Sequence, residues 1–163
     1  MTISEIRTIL SQDDVEEELL QEILSDERKG VKTLVGSYMK RLERKSRERL
    51  RVESMYDVES RFYQEGLTHI VGIDEVGRGP LAGPVTVAAV ILPPHWFCAG
   101  LNDSKKVTPK HREEIAAKIY ESALDVSVVS LSPEEIDAVN IYEATMMAMY
   151  QAVKNLTVSP EAV

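Results

Sequence analysis

The chain has 163 residues, 44% of them hydrophobic and 28% charged, a globular composition that excludes wholesale disorder, collagen-like repeats and low complexity. No apolar stretch approaches the ~20 residues of a bilayer-spanning helix, the first residues lack a basic then apolar leader, and the single cysteine, Cys98, excludes an internal disulfide or a multi-thiol zinc site. The expected setting is therefore a reducing cytoplasm, away from membranes. The net charge of −8 hides a segregation: residues 13–27 hold eight acids and no base, whereas residues 40–51 hold seven bases against Glu43 and Glu48.

Residues 1–66 read as successive helices. Thr2 with Glu5 forms a capping-box pattern, and Asp13-Asp14 predicts the start of a second helix carrying Val15, Leu19, Leu20 and Ile23, with Gly30 as its stop. Val31, Leu34, Val35, Tyr38, Met39 and Leu42 then follow helical spacing and predict the core stripe of a long amphipathic helix. On that helix Lys40, Arg44, Arg47 and Arg51 recur at four, three and four residues, which aligns four cations. Two readings stay open: a rail along a phosphate backbone, or a solvated face neutralised by Glu43 and Glu48.

From Leu67 the texture changes to an α/β pattern, a mixed sheet with helices. Residues 68–73 and 85–92 are β-rich runs expected to pair, the second closed by Pro93-Pro94. Thr108-Pro109 predicts a helix to about residue 122 with Ile115, Ala116 and Ile119 on its apolar side, and a third strand covers residues 126–131. Ser132-Pro133-Glu134-Glu135 opens a short helix, and residues 141–155 form a longer one whose Met146, Met147, Met149 and Val153 are expected to fill core. Leu156 to Val163 reads as a linker entering a further strand, so the chain is expected to be a fragment.

The chemistry concentrates after the first strand, in Asp74-Glu75-Val76-Gly77-Arg78-Gly79-Pro80-Leu81-Ala82-Gly83-Pro84. Adjacent ionised carboxylates beside a core call for a cation, donors or a metal, and they converge only where the backbone leaves extended geometry, which Gly77 and Gly79 make easy. Arg78 supplies a forked cation suited to phosphate. Ser104, Lys105 and Lys106 before a helix N-terminus fit a phosphate contact or a solvated loop, and Asn140 fits either a helix N-cap or a nucleic-acid contact. His69, His95 and His111 show no ligand spacing, and Trp96-Phe97 reads as a loop anchor rather than a stacking platform.

The string from Gly72 to Pro84 resembles the first signature block of bacterial ribonuclease HII; Leu101-Asn102-Asp103-Ser104-Lys105-Lys106-Val107-Thr108 and Asn140-Ile141-Tyr142-Glu143-Ala144-Thr145 resemble two further blocks, in the right order. The resemblance covers residues 67–163 and implies an RNase H-like fold, C-terminally incomplete; it does not explain residues 1–66, except that some members carry an N-terminal helical extension, and this all-helical extension with its basic helix is expected to aid substrate binding. It implies an endonuclease that hydrolyses the RNA strand of RNA/DNA hybrids and cuts at ribonucleotides embedded in duplex DNA, a monomer using two Mg2+ or Mn2+ ions. Asp74 and Glu75 match two of four metal-holding carboxylates, Gly77, Arg78 and Gly79 match the reader of the junction 2′-hydroxyl, and Asn140 and Thr145 match contacts to DNA. The other two carboxylates and a substrate-contacting tyrosine would fall beyond Val163, so the 163-residue chain is expected to be inactive alone. The alternative is a noncatalytic nucleic-acid-binding module in which the basic helix does the binding and the acids are structural.

Overall fold

The computed structural model describes residues 1–80 and 82–163, which divide into two compact units, Met1–Arg51 and Val52–Val163. In the first, Thr2 accepts a hydrogen bond from the Glu5 amide while Glu5 accepts from the Thr2 amide at 2.7 Å, so a reciprocal cap opens α1 (Ile3–Ser11). α1 buries Ile6 and Leu10 against Ile23 of α2 (Glu17–Leu24) and Val31 and Tyr38 of α3 (Lys29–Glu53). Carbonyls at a helix C-terminus lack intrahelical partners; here the Arg41 guanidinium donates to the Leu10 and Gln12 carbonyls at 2.7 Å each.

Three local expectations fail in this unit, two of them for nonlocal reasons. Asp13-Asp14 does not open α2, which begins at Glu17 without a side-chain cap, because the Asp13 carboxylate pairs with Lys45 of α3. Gly30 does not stop α2, which ends at Leu24; it lies in the first turn of α3, where an added Cβ would stand 3.0 Å from Ile3 Cδ1. Met39 stands apart from the buried stripe and is 43% exposed.

The second unit holds a short α4 (Glu59–Gln64) and an antiparallel sheet in the order β1-β2-β3, formed by Val71–Val76, Val85–Ile91 and Asp125–Leu131. β1 starts later than expected and runs on through the two acids. α5 (Pro109–Ser122) is capped by Thr108, α6 (Pro133–Val139) by the Ser132–Glu135 box, and α7 (Ile141–Lys154) lies along the sheet. Ala144, Ala148 and Ala152, four residues apart, are fully buried against Val71, Val85, Val87, Ala89, Ile91, Val129 and Leu131. The core face of α7 is thus built from alanines, whose small side chains let helix and sheet approach, while Met146 and Met147 are 48% and 53% exposed rather than core filling. In α5 only Ile115 is buried, and Ala116 is exposed. Full burial of Val85, Val87 and Ile91 contributes about 1.5–3 kcal/mol each, against ~1 kcal/mol for a cap, so the layer of α7 on the sheet dominates the unit's stability.

After α7 the chain returns to β1. Asp125 Oδ2 accepts from the Thr157 hydroxyl and the Val158 amide at 2.8 Å each, and Glu161 Oε2 accepts from the Thr68 and His69 amides at 2.7 and 2.8 Å. The Val71 amide then donates to the Ala162 carbonyl at 2.9 Å, giving a parallel bridge between Ile70 and Ala162 on the side of β1 away from β2. The terminal segment therefore begins to pair as a strand, as expected.

Candidate active site and nucleic-acid contacts

β1 carries the acids because its alternate residues serve different surroundings: Val71 and Ile73 pack into the core with α7, whereas Gly72 and Asp74 are exposed. The register sets Glu75 opposite Val87, a core residue, and Asp74 opposite Ala88, which in turn faces the half-exposed Val128. Asp74 and Glu75 thus stand on opposite faces of a regular strand. Asp74 is exposed, its Oδ1 accepting the Glu75 amide at 2.9 Å, while Glu75 is turned toward Arg78, Oε1 to Nη1 3.6 Å.

The departure from extended geometry comes just past the acids. The last ladder pair is Val76 with Thr86, and Gly77 then adopts φ +96°. A Cβ on Gly77 would lie 2.1 Å from the Pro84 carbonyl oxygen, so only glycine allows the two ends of the loop to pass. Gly79, by contrast, borders open space, and Arg78 is 48% exposed. The loop holds itself together at its base and offers a guanidinium and main chain at its tip; Leu81 of the signature string lies outside the described residues.

Ser104, Lys105 and Lys106 form a single exposed 3-10 turn, started by Asp103, whose carboxylate accepts the Lys105 amide at 2.9 Å. Asn140, at φ +87°, accepts from the Tyr142 and Glu143 amides at 3.0 and 3.1 Å, so its side-chain oxygen caps α7. Thr145 is 3% exposed and donates to the Ile141 carbonyl at 2.7 Å, which leaves little hydroxyl surface for another molecule. Cys98 is buried, and the main-chain carbonyl of Trp96 ties its loop down by accepting the Tyr56 hydroxyl at 2.7 Å; burial pushes that phenol up to about 12.

The basic series belongs to the first unit. Arg47 pairs with Glu43 and Arg51 with Glu48, both at 2.7 Å. Lys40 and Arg44 are exposed and form no ion pair among the described residues. The series therefore divides into two neutralised and two available cations.

The oxygen donors of Asp74 and Glu75 are of the type that hard divalent cations take, but among the described residues no group of three or more His, Cys, Asp or Glu side chains could hold a metal ion. Sequence reasoning missed Asp125 and Glu161, the two carboxylates that pin the returning segment. Their partners lie 32 and more residues away, beyond the reach of local pattern.

Comparison with known proteins adds to this geometry. A family model described as Ribonuclease HII matches residues 71–163, and one described as Ribonuclease HII N-terminal domain matches residues 2–63. The chain is 44% identical over 163 residues to a ribonuclease HII of Ligilactobacillus salivarius, covering 100% of this chain and 64% of that protein. It is 45% identical over 162 residues to one of Bacillus mycoides, covering 99% and 63%. The chain thus spans just under two thirds of the length of these relatives. Among solved structures, ribonuclease H2 from Pyrococcus horikoshii OT3 aligns with a TM-score of 0.50 and 27% identity over 56% of this chain and 46% of that one.

Proposed function

The chain belongs to the ribonuclease HII family, with an α/β RNase H-like fold, and from that premise we propose that it acts on the RNA strand of RNA/DNA hybrids and at ribonucleotides embedded in duplex DNA. The observation that carries this reading is the glycine loop: Gly77 passes under Pro84 and sets Arg78 beside Glu75, four residues after Asp74. A ribose 2′-hydroxyl is what distinguishes RNA from DNA at one position, and a loop of main-chain groups at Gly77 and Gly79 with an exposed guanidinium between them is a chemically apt reader of it. Arg78 holds the adjoining phosphate by its fork of N–H donors.

Asp74 and Glu75 would hold Mg2+ or Mn2+, and in the family's chemistry such ions activate a water and stabilise the leaving oxygen. Two carboxylates offset only two charges, so we propose that efficient hydrolysis needs acidic ligands beyond those of this chain and that the chain alone cuts poorly. Lys40, Arg44, Arg47 and Arg51 on the helical region at residues 1–66, together with Ser104, Lys105 and Lys106, add phosphate contacts that strengthen binding without choosing the site. The reading extends to a monomeric cytoplasmic enzyme; no helix among the described residues is long and apolar enough to cross a membrane.

The opposite-face placement of Asp74 and Glu75 favours a second reading, a noncatalytic nucleic-acid-binding module. Incubation with a labelled duplex containing one ribonucleotide, with and without Mn2+ or Mg2+, addresses both. The first reading expects tighter binding than to the all-DNA duplex, with slow metal-dependent cutting at the ribonucleotide. Equal affinity for the two duplexes and no cutting would leave only the module.

A further inference from the structure

His111 lies on the first turns of α5, two residues from Pro109, and its imidazole is hydrogen-bonded on the Nδ1 side and packs against Gly100 on the Nε2 side. Nδ1 is 3.0 Å from Glu114 Oε2, and since an ionised carboxylate only accepts, the tautomer that makes this bond carries its hydrogen on Nδ1. The ring occupies the space that a side chain at residue 100 would take: a Cβ there would stand 2.2 Å from Nε2 and 3.1 and 3.2 Å from Cε1 and Cδ2, at a residue with φ +83°. Residue 100 is therefore a glycine on two counts, and the ring packs where a side chain would otherwise be.

A second brace comes from the next residue, since Arg112 Nη1 reaches the Ser104 carbonyl at 3.4 Å. The span from residue 100 to residue 104 is thus tied to α5 near both ends. The Ser104–Lys106 turn follows directly, and neither lysine forms an ion pair among the described residues. We infer that His111, oriented by Glu114 and seated on Gly100, is a positioning residue that preforms the Ser104-Lys105-Lys106 edge for phosphate. The inference rests on the phosphate-binding reading of that turn. A preformed edge binds more tightly because less side-chain and loop freedom is given up on association.

The test measures binding of the 163-residue chain to a fluorescent ribonucleotide-containing duplex by anisotropy, for Lys105→Ala/Lys106→Ala, His111→Ala, the triple combination and His111→Gln, which keeps an N–H for Glu114. The lysine pair should weaken binding about tenfold at moderate salt, and His111→Ala about fivefold with an unchanged thermal midpoint. In the His111→Ala background the lysine change should cost clearly less than tenfold, because misplaced lysines contribute little, and His111→Gln should recover most of the affinity. Gly100→Ala, which drives a Cβ into the ring, should reproduce the His111→Ala loss without adding to it. Wild-type affinity in His111→Ala, or losses that simply multiply in the combination, overturns the inference while the phosphate reading stands. An unaffected lysine pair removes the phosphate reading and this inference with it.

Discussion

In the helical unit several basic groups already have an acidic neighbour at ion-pair distance, while Lys40 and Arg44 form no ion pair among the described residues; at the β1 loop the acids and the arginine are only loosely matched. Arg28 donates to Asp26 and holds its carboxyl down to about 2, Lys32 pairs with Glu27, Lys45 with Asp13, Arg47 with Glu43 and Arg51 with Glu48. Toward the end of β1, the one partner of Asp74 among the described residues is the amide of its own neighbour, and just past the strand Arg78 stays 3.6 Å from Glu75. Exposed ion pairs are worth about 0–1 kcal/mol, so the helical pairs can exchange for phosphate, but each exchange gives back part of the gain. In one region part of the charge is already paired along a helix; in the other a few charges are arranged around one loop.

The sharpest way to break this contrast is one substitution made in both regions. Gly77→Ala forces a Cβ within 2.1 Å of the Pro84 carbonyl oxygen at φ +96°, so the loop must rearrange and affinity for a ribonucleotide-containing duplex should fall at least about tenfold. Gly36→Ala, inside α3 with nothing within 4 Å of the new methyl, should instead stabilise by about 0.5–1 kcal/mol and raise the thermal midpoint. Binding isotherms and melting curves of the two variants read both signs. A harmless Gly77→Ala would mean that the loop is not a built recognition element.

Next in size is the basic series. Neutralising Lys40 and Arg44, which lack ion-pair partners among the described residues, should flatten the log-log salt dependence of duplex binding by about 0.9 for each phosphate no longer engaged. Neutralising Arg47 and Arg51 should flatten it less, since those cations must first leave Glu43 and Glu48. Equal slopes for the two double variants would show that the pairing seen in α3 is irrelevant to binding.

A smaller effect concerns pH and the returning segment. Hydrogen bonds from Val158 and Thr157 hold the Asp125 carboxyl below its ordinary range, and amides of His69 and Thr68 do the same for Glu161. A depressed folded-state pKa adds stability that is complete above the ordinary carboxylate range, about pH 4, and disappears as pH falls through the lowered values. Asp125→Asn should therefore lower the melting midpoint at pH 7 and reduce the acid sensitivity of the second unit; an identical acid transition in variant and parent would contradict the pinning role.

What can be read before folding and what cannot follows the same divide between local and distant causes. The caps at Thr2, Thr108 and Ser132 are legible because a cap is satisfied within three residues. Gly30 misleads because the reason for it is Ile3 on another helix, and Met146 and Met147 mislead because helical spacing gives a stripe without saying which stripe faces the sheet. The Ala144, Ala148 and Ala152 series carries that information only as small size. At the site, the residues are visible in Asp74-Glu75-Val76-Gly77-Arg78-Gly79, but the separation of the two acids depends on the ladder continuing to Val76 and Thr86, which is a property of pairing with β2.

The division of labour proposed for this loop is that Asp74 serves chemistry while Arg78, held by the Gly77 turn, serves recognition. The most direct measurement is the ratio of affinities for a duplex with one ribonucleotide and its all-DNA counterpart, taken without divalent ions for the parent chain, Asp74→Asn and Arg78→Ala. Asp74→Asn removes a negative charge facing phosphate, so both affinities should hold or rise with the ratio preserved. Arg78→Ala should weaken the ribonucleotide duplex more and bring the ratio toward one. A ratio that survives Arg78→Ala and collapses in Asp74→Asn would contradict that division.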